Sequence, residues 1–142
     1  MANKFHQGYY NVKNKEKYIG KKVPVYRSSW EYSFFMWCDQ NPSILQWASE
    51  SIAIPYYDSQ TKKNKNYYPD VFIYYVDKDG IKRGELIEIK PQNQCPGTKT
   101  KSRVNQAAAI RNRDKWIAME AFCGKNGITC RIITEKQMFG KI

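Results

Sequence analysis

At 142 residues the chain is long enough for one packed core and too short for two ordinary domains. Its hydrophobic fraction of 42% excludes a disordered chain, and its net charge of +11 indicates a polyanionic partner such as nucleic acid. No segment has the roughly 20 apolar residues of a membrane span, and the start, MANKFHQGYY, has no secretion-signal core. We therefore expect a soluble intracellular protein without membrane contact.

The cysteines and the single histidine predict no metal or disulfide chemistry. Cys38, Cys95, Cys123 and Cys130 form no C-x-x-C pair, and His6 is the only imidazole. Without a secretion signal, reduced thiols are expected rather than a disulfide framework. Nothing in the sequence indicates a small-molecule cofactor.

The first 25 residues are rich in Lys, Asn and Tyr without clear periodicity. They predict a basic N-terminal arm, which either touches a polyanion or is a plain solvated terminus. Residues 26–142 are predicted to form one domain. It opens with a buried helix, because Ser28 is a good N-cap, Glu31 follows three residues later, and the apolar run ends near Asn41.

Four strand-like runs come next: ILQWAS, SIAIPYY, YYPDVFIYYV and RGELIEIKP. The polar segment DSQTKKNKN predicts a turn between the second and third runs, and DKDG predicts a central hairpin between the third and fourth.

A second helix is predicted from Arg103, stopped by Gly124 and Gly127, with Ile110, Ile117 and Ala121 on one face. The run ITCRIITE then predicts a last strand. The order α-β-β-β-β-α-β indicates the α/β class, with a mixed sheet flanked by helices.

Three charged residues of the predicted hairpin form the candidate site. Glu88 and Lys90 alternate with Ile87 and Ile89 along ELIEIK, so they project from one face of the sheet. Asp70 begins the preceding strand, and pairing would bring it close to Glu88. Two such carboxylates suit Mg²⁺, which can activate water for phosphodiester hydrolysis, while Lys90 would orient that water or neutralise the phosphate.

Plainer interpretations exist for these residues. E-x-K on a strand is usually a solvated ion pair, and Asp after Pro is usually turn chemistry. The combination on a strongly basic chain favours the metal site. Phosphate contacts are predicted in the polar turn and beside the second helix, at Lys62, Lys63, Lys65, Lys99, Lys101, Arg103, Arg111 and Arg113.

The spacing P-D at 69–70, seventeen residues, then E-I-K at 88–90 resembles the PD-(D/E)xK nuclease signature. Together with Y-R-S-S-W-E at 26–31 and K-W…F-C-G-K-N-G-I-T…I-I-T-E near the end, it is similar to TnsA-type endonuclease domains. The likeness extends over residues 8–137, and it is greatest to the small head-completion nucleases of T-even-like tailed phages.

The resemblance implies a restriction-endonuclease-like fold and a DNA endonuclease that uses Mg²⁺, with Mn²⁺ as a substitute. Asp70, Glu88 and the Ile89 carbonyl would bind metal, Lys90 would be catalytic, and Glu31 would be a further acidic ligand rather than only a helix cap. Gln106 matches a position where some relatives place a polar site residue, although an exposed helix Gln needs no function.

The resemblance also implies a role in phage head completion and in processing the ends of packaged DNA. The setting would be the host cell cytoplasm, with head or neck proteins as partners and association with the virion. Two alternatives stay open from the sequence. One is a structural head-completion protein that binds DNA without cutting it, and the other is a junction resolvase or repair nuclease on the same fold.

Overall fold

The computed structural model describes residues 7–96, 102–134 and 136, with only the backbone at residue 93. The chain order of its elements is β1 (Gly8–Tyr9), β2 (Val25–Tyr26), α1 (Ser29–Gln40), β3 (Ile44–Ser49), β4 (Ile54–Asp58), β5 (Lys63–Tyr67), β6 (Val71–Val76), β7 (Lys82–Ile89), a 3₁₀ turn (Gln92–Gln94), α2 (Arg103–Asn126) and β8 (Thr129–Ile133). The predicted α/β class is confirmed.

A four-stranded mixed sheet in the order β3-β6-β7-β8 forms the centre of the fold. β6 and β7 are antiparallel, in the register Val71↔Ile87 to Val76↔Lys82, which confirms the predicted central hairpin. The carboxylate of Asp77 closes its turn by accepting the backbone N–H groups of Asp79 and Ile81. β8 then runs parallel to β7 and ends level with it at Ile133.

Both faces of the last part of β7, from Glu85 to Ile89, are buried. Ile87 and Ile89 join one apolar cluster with Phe35 and other residues of α1, whereas Leu86 joins a second cluster with Met119 of α2. A charged side chain near the end of β7 is therefore surrounded by protein, except where the strand end is open to solvent.

The described part of the N-terminal segment is packed against the domain. β1 and β2 form a short antiparallel ribbon, and Tyr10 is 3% exposed within the α1 cluster. The buried carboxylate of Asp39, in the last turn of α1, accepts hydrogen bonds from the Tyr10 hydroxyl and from the backbone N–H groups of Lys13 and Asn14. Division of the chain at residue 25 stays a prediction.

The predicted turn DSQTKKNKN is longer than the turn that forms. Its last part, Lys63–Asn66, belongs to β5, which pairs with β4 as a separate two-stranded sheet. Polar residues such as Lys and Asn prefer turns, but here all four are exposed on β5, which buries only Tyr67. The reversal itself lies at Lys62, whose φ of 59° is left-handed.

The second helix also departs from the prediction at two points. Gly124 lies inside α2, and the helix ends at Gly127, whose φ of 68° suits a glycine C-cap. Ile110 and Ile117 share a face, but they are 39% and 60% exposed. No helix in the described part of the chain is long and apolar enough to cross a membrane.

Candidate active site

Asp70 and Glu88 lie side by side at one end of the β6–β7 hairpin. Asp70 immediately precedes β6, and its Oδ2 accepts the backbone N–H of Ile89 at 2.7 Å. In return, the Asp70 backbone N–H reaches Oε1 of Glu88 at 3.3 Å. This reciprocal pair of bonds follows from the strand register and fixes the two carboxylates against each other, as the sequence predicts.

Lys90 is the third member of the group. Its ammonium lies 3.5 Å from Oε2 of Glu88, and its side chain is 27% exposed, whereas that of Glu88 is 4% exposed. The backbone N–H of Lys90 donates to the carbonyl of Ile133, so the end of β8 holds the residue in place. The lysine therefore points from a buried carboxylate toward the surface.

Burial raises the pKa of Asp70 well above its usual range, and the nearby charges of Glu88 and Glu31 act in the same direction. Burial likewise raises the pKa of Glu88, although Lys90 and the Tyr67 hydroxyl oppose the shift. The internal donors are thus too few for the negative charge gathered here. A cation in this position would relieve the repulsion.

Glu31 lies in the first turn of α1, three residues after the predicted N-cap. Ser28 is the N-cap, and its hydroxyl accepts the Glu31 backbone N–H. The Glu31 side chain returns to the backbone N–H of Arg27 rather than to that of Ser28, which corrects the expected capping box. Burial raises its pKa, and the charges of Glu50 and Glu88 add to the effect.

Two residues of the site were missed by sequence reasoning. The Tyr67 hydroxyl donates to Oε1 of Glu88 at 2.8 Å, although an aromatic on a predicted strand indicated only core packing. Lys115 of α2 has its ammonium 5.4 Å from the centre of the Tyr67 ring. Burial lowers its pKa, and the neighbouring positive charge of Lys90 does the same.

A signal for Lys115 exists in the helical spacing. Asn112, Met119 and Cys123 are buried along one face of α2, and residue 115 falls on that face between them. A lysine at a position otherwise occupied by buried residues indicates a partner of opposite charge inside the fold. The signal was obscured because Ile110 and Ile117 suggested a different inward face.

The remaining predicted residues lie on the surface or outside the described part. Gln106 is exposed in the first turn of α2, and its role stays a prediction. Among the predicted phosphate contacts, Lys65 pairs with Asp58 at 2.9 Å and Arg113 with Asp114 at 3.4 Å. Lys62, Lys63 and Arg103 are exposed and Arg111 is half-buried, whereas Lys99 and Lys101 lie outside the described residues.

The site of Asp70 and Glu88 has oxygen donors for a metal. Within residues 7–96 and 102–134, no three His, Cys, Asp or Glu side chains are already gathered as a metal cage. Two adjacent carboxylates nevertheless fit a hard ion such as Mg²⁺, which takes one or two protein carboxylates and keeps several waters. The adjacency of the two carboxylates, joined by reciprocal hydrogen bonds at the end of the hairpin, is the observation that supports this fit.

A mixed sheet between two helices, with two carboxylates and a lysine at the end of its central hairpin, defines the nuclease class predicted from the PD…E-I-K spacing. The family described as TnsA-like endonuclease N terminal matches residues 41–135, and the chain belongs to this family. The head completion nuclease of Enterobacteria phage T4 is 36% identical, over 92% of this chain and 91% of the relative. The predicted resemblance is therefore confirmed. No solved structure matches the chain.

Proposed function

We propose that the protein is a metal-dependent DNA endonuclease of phage head completion, which processes the ends of packaged DNA. The observation that carries the proposal is the hydrogen-bonded pair of the half-buried Asp70 and the buried Glu88, whose carboxylates receive few donors from the protein. Membership of the endonuclease family and the name of the T4 relative support the reaction and the setting.

Asp70 and Glu88 would hold the divalent ion, with Glu31 and the Ile89 carbonyl as further oxygen donors. When bound, the ion supplies a polarised water and stabilises negative charge on the phosphate. Glu88 keeps its orientation because Tyr67 and the Asp70 backbone both donate to Oε1. Asp70 is oriented by the Ile89 N–H in the same way.

Lys90 and Lys115 would supply positive charge on the protein side. Lys90 lies at the exposed side of Glu88, where it can contact the phosphate or the attacking water. Lys115 lies behind it against Tyr67, and both lysines act electrostatically on Glu88. We assign Lys115 a positioning role, because it is half-buried and its contact is with the ring that supports Glu88.

The DNA would be held by basic residues outside the acidic pair. The net charge of +11 favours phosphate binding over much of the surface. Lys62, Lys63, Arg103 and Arg111 are the predicted contacts for which the structure gives no ion pair within its described residues. Head or neck proteins are the proposed partners in the host cell cytoplasm and in the virion.

The deciding experiment incubates purified protein with linear, circular and branched DNA, with Mg²⁺ or with EDTA. We expect cleavage with Mg²⁺ or Mn²⁺ and none with EDTA, because carboxylates alone cannot activate water. Asp70→Ala, Glu88→Ala and Lys90→Ala should each lower the rate by about 100-fold or more.

Lys78→Ala is the matched control, since Lys78 is exposed in the turn at the opposite end of the β6–β7 hairpin. Undiminished cleavage in EDTA would reject the metal, and wild-type rates in two of the three variants would reject the site. DNA binding without any cleavage would favour the structural head-completion alternative, and a strong preference for branched DNA would favour the resolvase.

A further inference from the structure

A basic groove lies beside the candidate active site and is not used by the proposed chemistry. Two adjoining cavities of about 370 and 260 Å³ share Lys22, Ser49, Glu50 and Tyr68 in their walls. Lys21 lines the larger of them and also a third cavity of about 470 Å³ on the N-terminal segment. We call this continuous depression the Tyr68 groove.

The Tyr68 groove lies next to the backbone of Asp70. The backbone N–H of Glu50 donates to the carbonyl of Asp70 at 3.0 Å, and Ser49 pairs with Val71 across β3 and β6. Tyr68 is separated from Asp70 only by Pro69. A DNA chain lying in the groove would therefore run close to Asp70.

The wall of the groove that contains Lys21 and Lys22 is held in place by Tyr18. Its hydroxyl donates to the carbonyl of Lys22 at 2.7 Å and accepts the backbone N–H of Ser49 at 3.3 Å. Its ring also lies under Gly20, where an added Cβ would stand 2.4 Å from the Tyr18 oxygen. The lysine backbone is thus fixed to the strand that borders Asp70, while both lysine side chains stay exposed.

The opposite wall contains a strained residue with a defined charge partner. Glu50 has a φ of 48°, which is uncommon for a residue with a side chain, and it forms an ion pair with Arg27. The positive charge of Arg27 offsets the negative charge of Glu50, the single acid among the described residues that line the groove. No ion pair among the described residues engages Lys21 or Lys22, so their charges remain available to a ligand.

Tyr68 gives the groove its selectivity. The residue is 51% exposed, although it lies next to the buried Tyr67. An exposed ring in the same cavity wall as two lysines matches the two surfaces of an unpaired nucleotide, which offers a base for stacking and a phosphate for the lysines. Bases within a duplex are already stacked and do not present their faces.

We propose that the Tyr68 groove binds a single-stranded segment of the DNA substrate next to the bond that is cut. Tyr68 stacks on a base, and Lys21 and Lys22 contact the backbone phosphates. This inference rests on the proposed function and narrows its substrate to DNA with unpaired nucleotides beside the cleavage site, such as an overhang or a frayed end.

Binding is measured by fluorescence anisotropy in the cleavage-inactive Asp70→Asn protein, with a labelled single strand and with the same sequence as a blunt duplex. Tyr68→Ala should weaken single-strand binding about tenfold and duplex binding much less, and Tyr68→Phe should retain the affinity. Replacing Lys21 and Lys22 by Ala should reduce the slope of log K against log salt by about 1.4 on the single strand.

The controls are Tyr57→Ala, at a tyrosine that is 55% exposed on β4, and the pair Lys78→Ala and Lys82→Ala at the far end of the hairpin. Unchanged single-strand binding in both the Tyr68→Ala and the double-lysine proteins overturns the inference, as does an equal loss in the controls. Should Tyr68→Ala fail to fold by circular dichroism, Tyr68→Leu, which keeps the bulk but lacks the aromatic face, and the lysine pair decide.

The proposed function is tested separately, by measuring cleavage of overhang and blunt DNA by the unmodified protein with Mg²⁺. Absence of any cleavage rejects the nuclease, whatever the binding results. Cleavage of both substrates at equal rates, with groove variants that bind normally, rejects the groove and leaves the nuclease standing. Preferred cutting of the overhang substrate, lost in Tyr68→Ala, supports the inference.

Discussion

The first helix has an acidic site at each end, and the two are built in opposite ways. Asp39, in the last turn of α1, is completely buried, yet three donors reach its carboxylate from Tyr10, Lys13 and Asn14. At the other end, Glu31 interacts electrostatically with Asp70 and Glu88, and these three acids receive fewer internal donors for each charge.

The pKa directions follow from this difference. Burial alone would raise the pKa of Asp39, but the hydrogen bonds outweigh it and hold the pKa below its usual range. Burial raises the pKa of Asp70 and Glu88, and the hydrogen bonds do not compensate. Asp39 is thus supplied with donors from its own chain, whereas the acids that we propose as metal ligands receive fewer donors than their charge requires.

The largest expected effects come from mutating Asp70 and Asp39 separately. Asp70→Asn should lower cleavage by about 100-fold or more and melt at or above the wild-type temperature in EDTA, because it removes an under-compensated buried charge. Asp39→Ala should lose about 3 kcal/mol of stability, because it leaves buried donors without an acceptor, and should still cut DNA when folded. Thermal melts and cleavage rates measure both.

Cleavage by Asp39→Ala is compared below its own melting temperature, so that a folded population is assayed. The contrast between Asp39 and Asp70 would be rejected if Asp70→Asn is strongly destabilised while keeping its activity. It is also broken if Asp39→Ala melts normally, since the donors of Tyr10, Lys13 and Asn14 would then have needed no acceptor.

Glu31 offers a second, smaller test within the same helix. Glu31→Gln preserves an oxygen that can accept the Arg27 backbone N–H, so the melting temperature should stay within a few degrees of wild type. The negative charge near Asp70 and Glu88 is lost, so cleavage should fall by roughly tenfold or more, and the remainder should need more Mg²⁺. Cleavage rates across a Mg²⁺ titration measure this effect.

Ser28→Ala serves as the control for Glu31, because it removes the side chain that caps the Glu31 N–H and leaves the carboxylate charge. It should cost about 1 kcal/mol of stability and retain the metal requirement. Wild-type cleavage by Glu31→Gln would assign the residue to the helix start alone, and the site would consist of Asp70, Glu88 and Lys90.

The central part of the fold was predictable because local and global signals agree there. The β-branched run of β6, the DKDG turn and the alternation along β7 each specify the same hairpin, and Asp70 and Glu88 follow from its register. β5 was missed because its Lys and Asn residues carry no apolar period. Its pairing depends on β4 and on the burial of Tyr67.

The supporting residues of the site could not be found from local spacing alone. Tyr67 and Lys115 come from β5 and α2, elements far apart in the sequence, and only the packing of α2 on the β4–β5 ribbon brings them together. The donors of Asp39 were hidden for the same reason. They come from an N-terminal segment without periodicity, and their roles appear only when Tyr10 is buried.

The smallest expected effect is the pH dependence of stability in EDTA. Folded-state pKa values above the unfolded ones make Glu31, Asp70 and Glu88 bind protons more readily in the folded protein. Their contribution to stability is complete below the unfolded carboxyl pKa values of about 4 and is lost as pH rises through the raised values. The melting temperature should therefore fall by a few degrees between about pH 5 and pH 8.

Asp39 has the opposite sign. Its lowered pKa gives stability that is present above about pH 4 and lost only as the pH falls through the folded value, so acid below that point should destabilise the fold.

Mg²⁺ should raise the melting temperature more at pH 8 than at pH 5, because the ligands are ionised at the higher pH. The positive charges of Lys90 and Lys115 lower the pKa of Glu88 and so limit the size of the effect. Asp70→Asn should flatten both the pH 5–8 slope and the Mg²⁺ response while leaving the acid limb intact, and a mutant that keeps the full slope would show that these carboxylates are already compensated without metal.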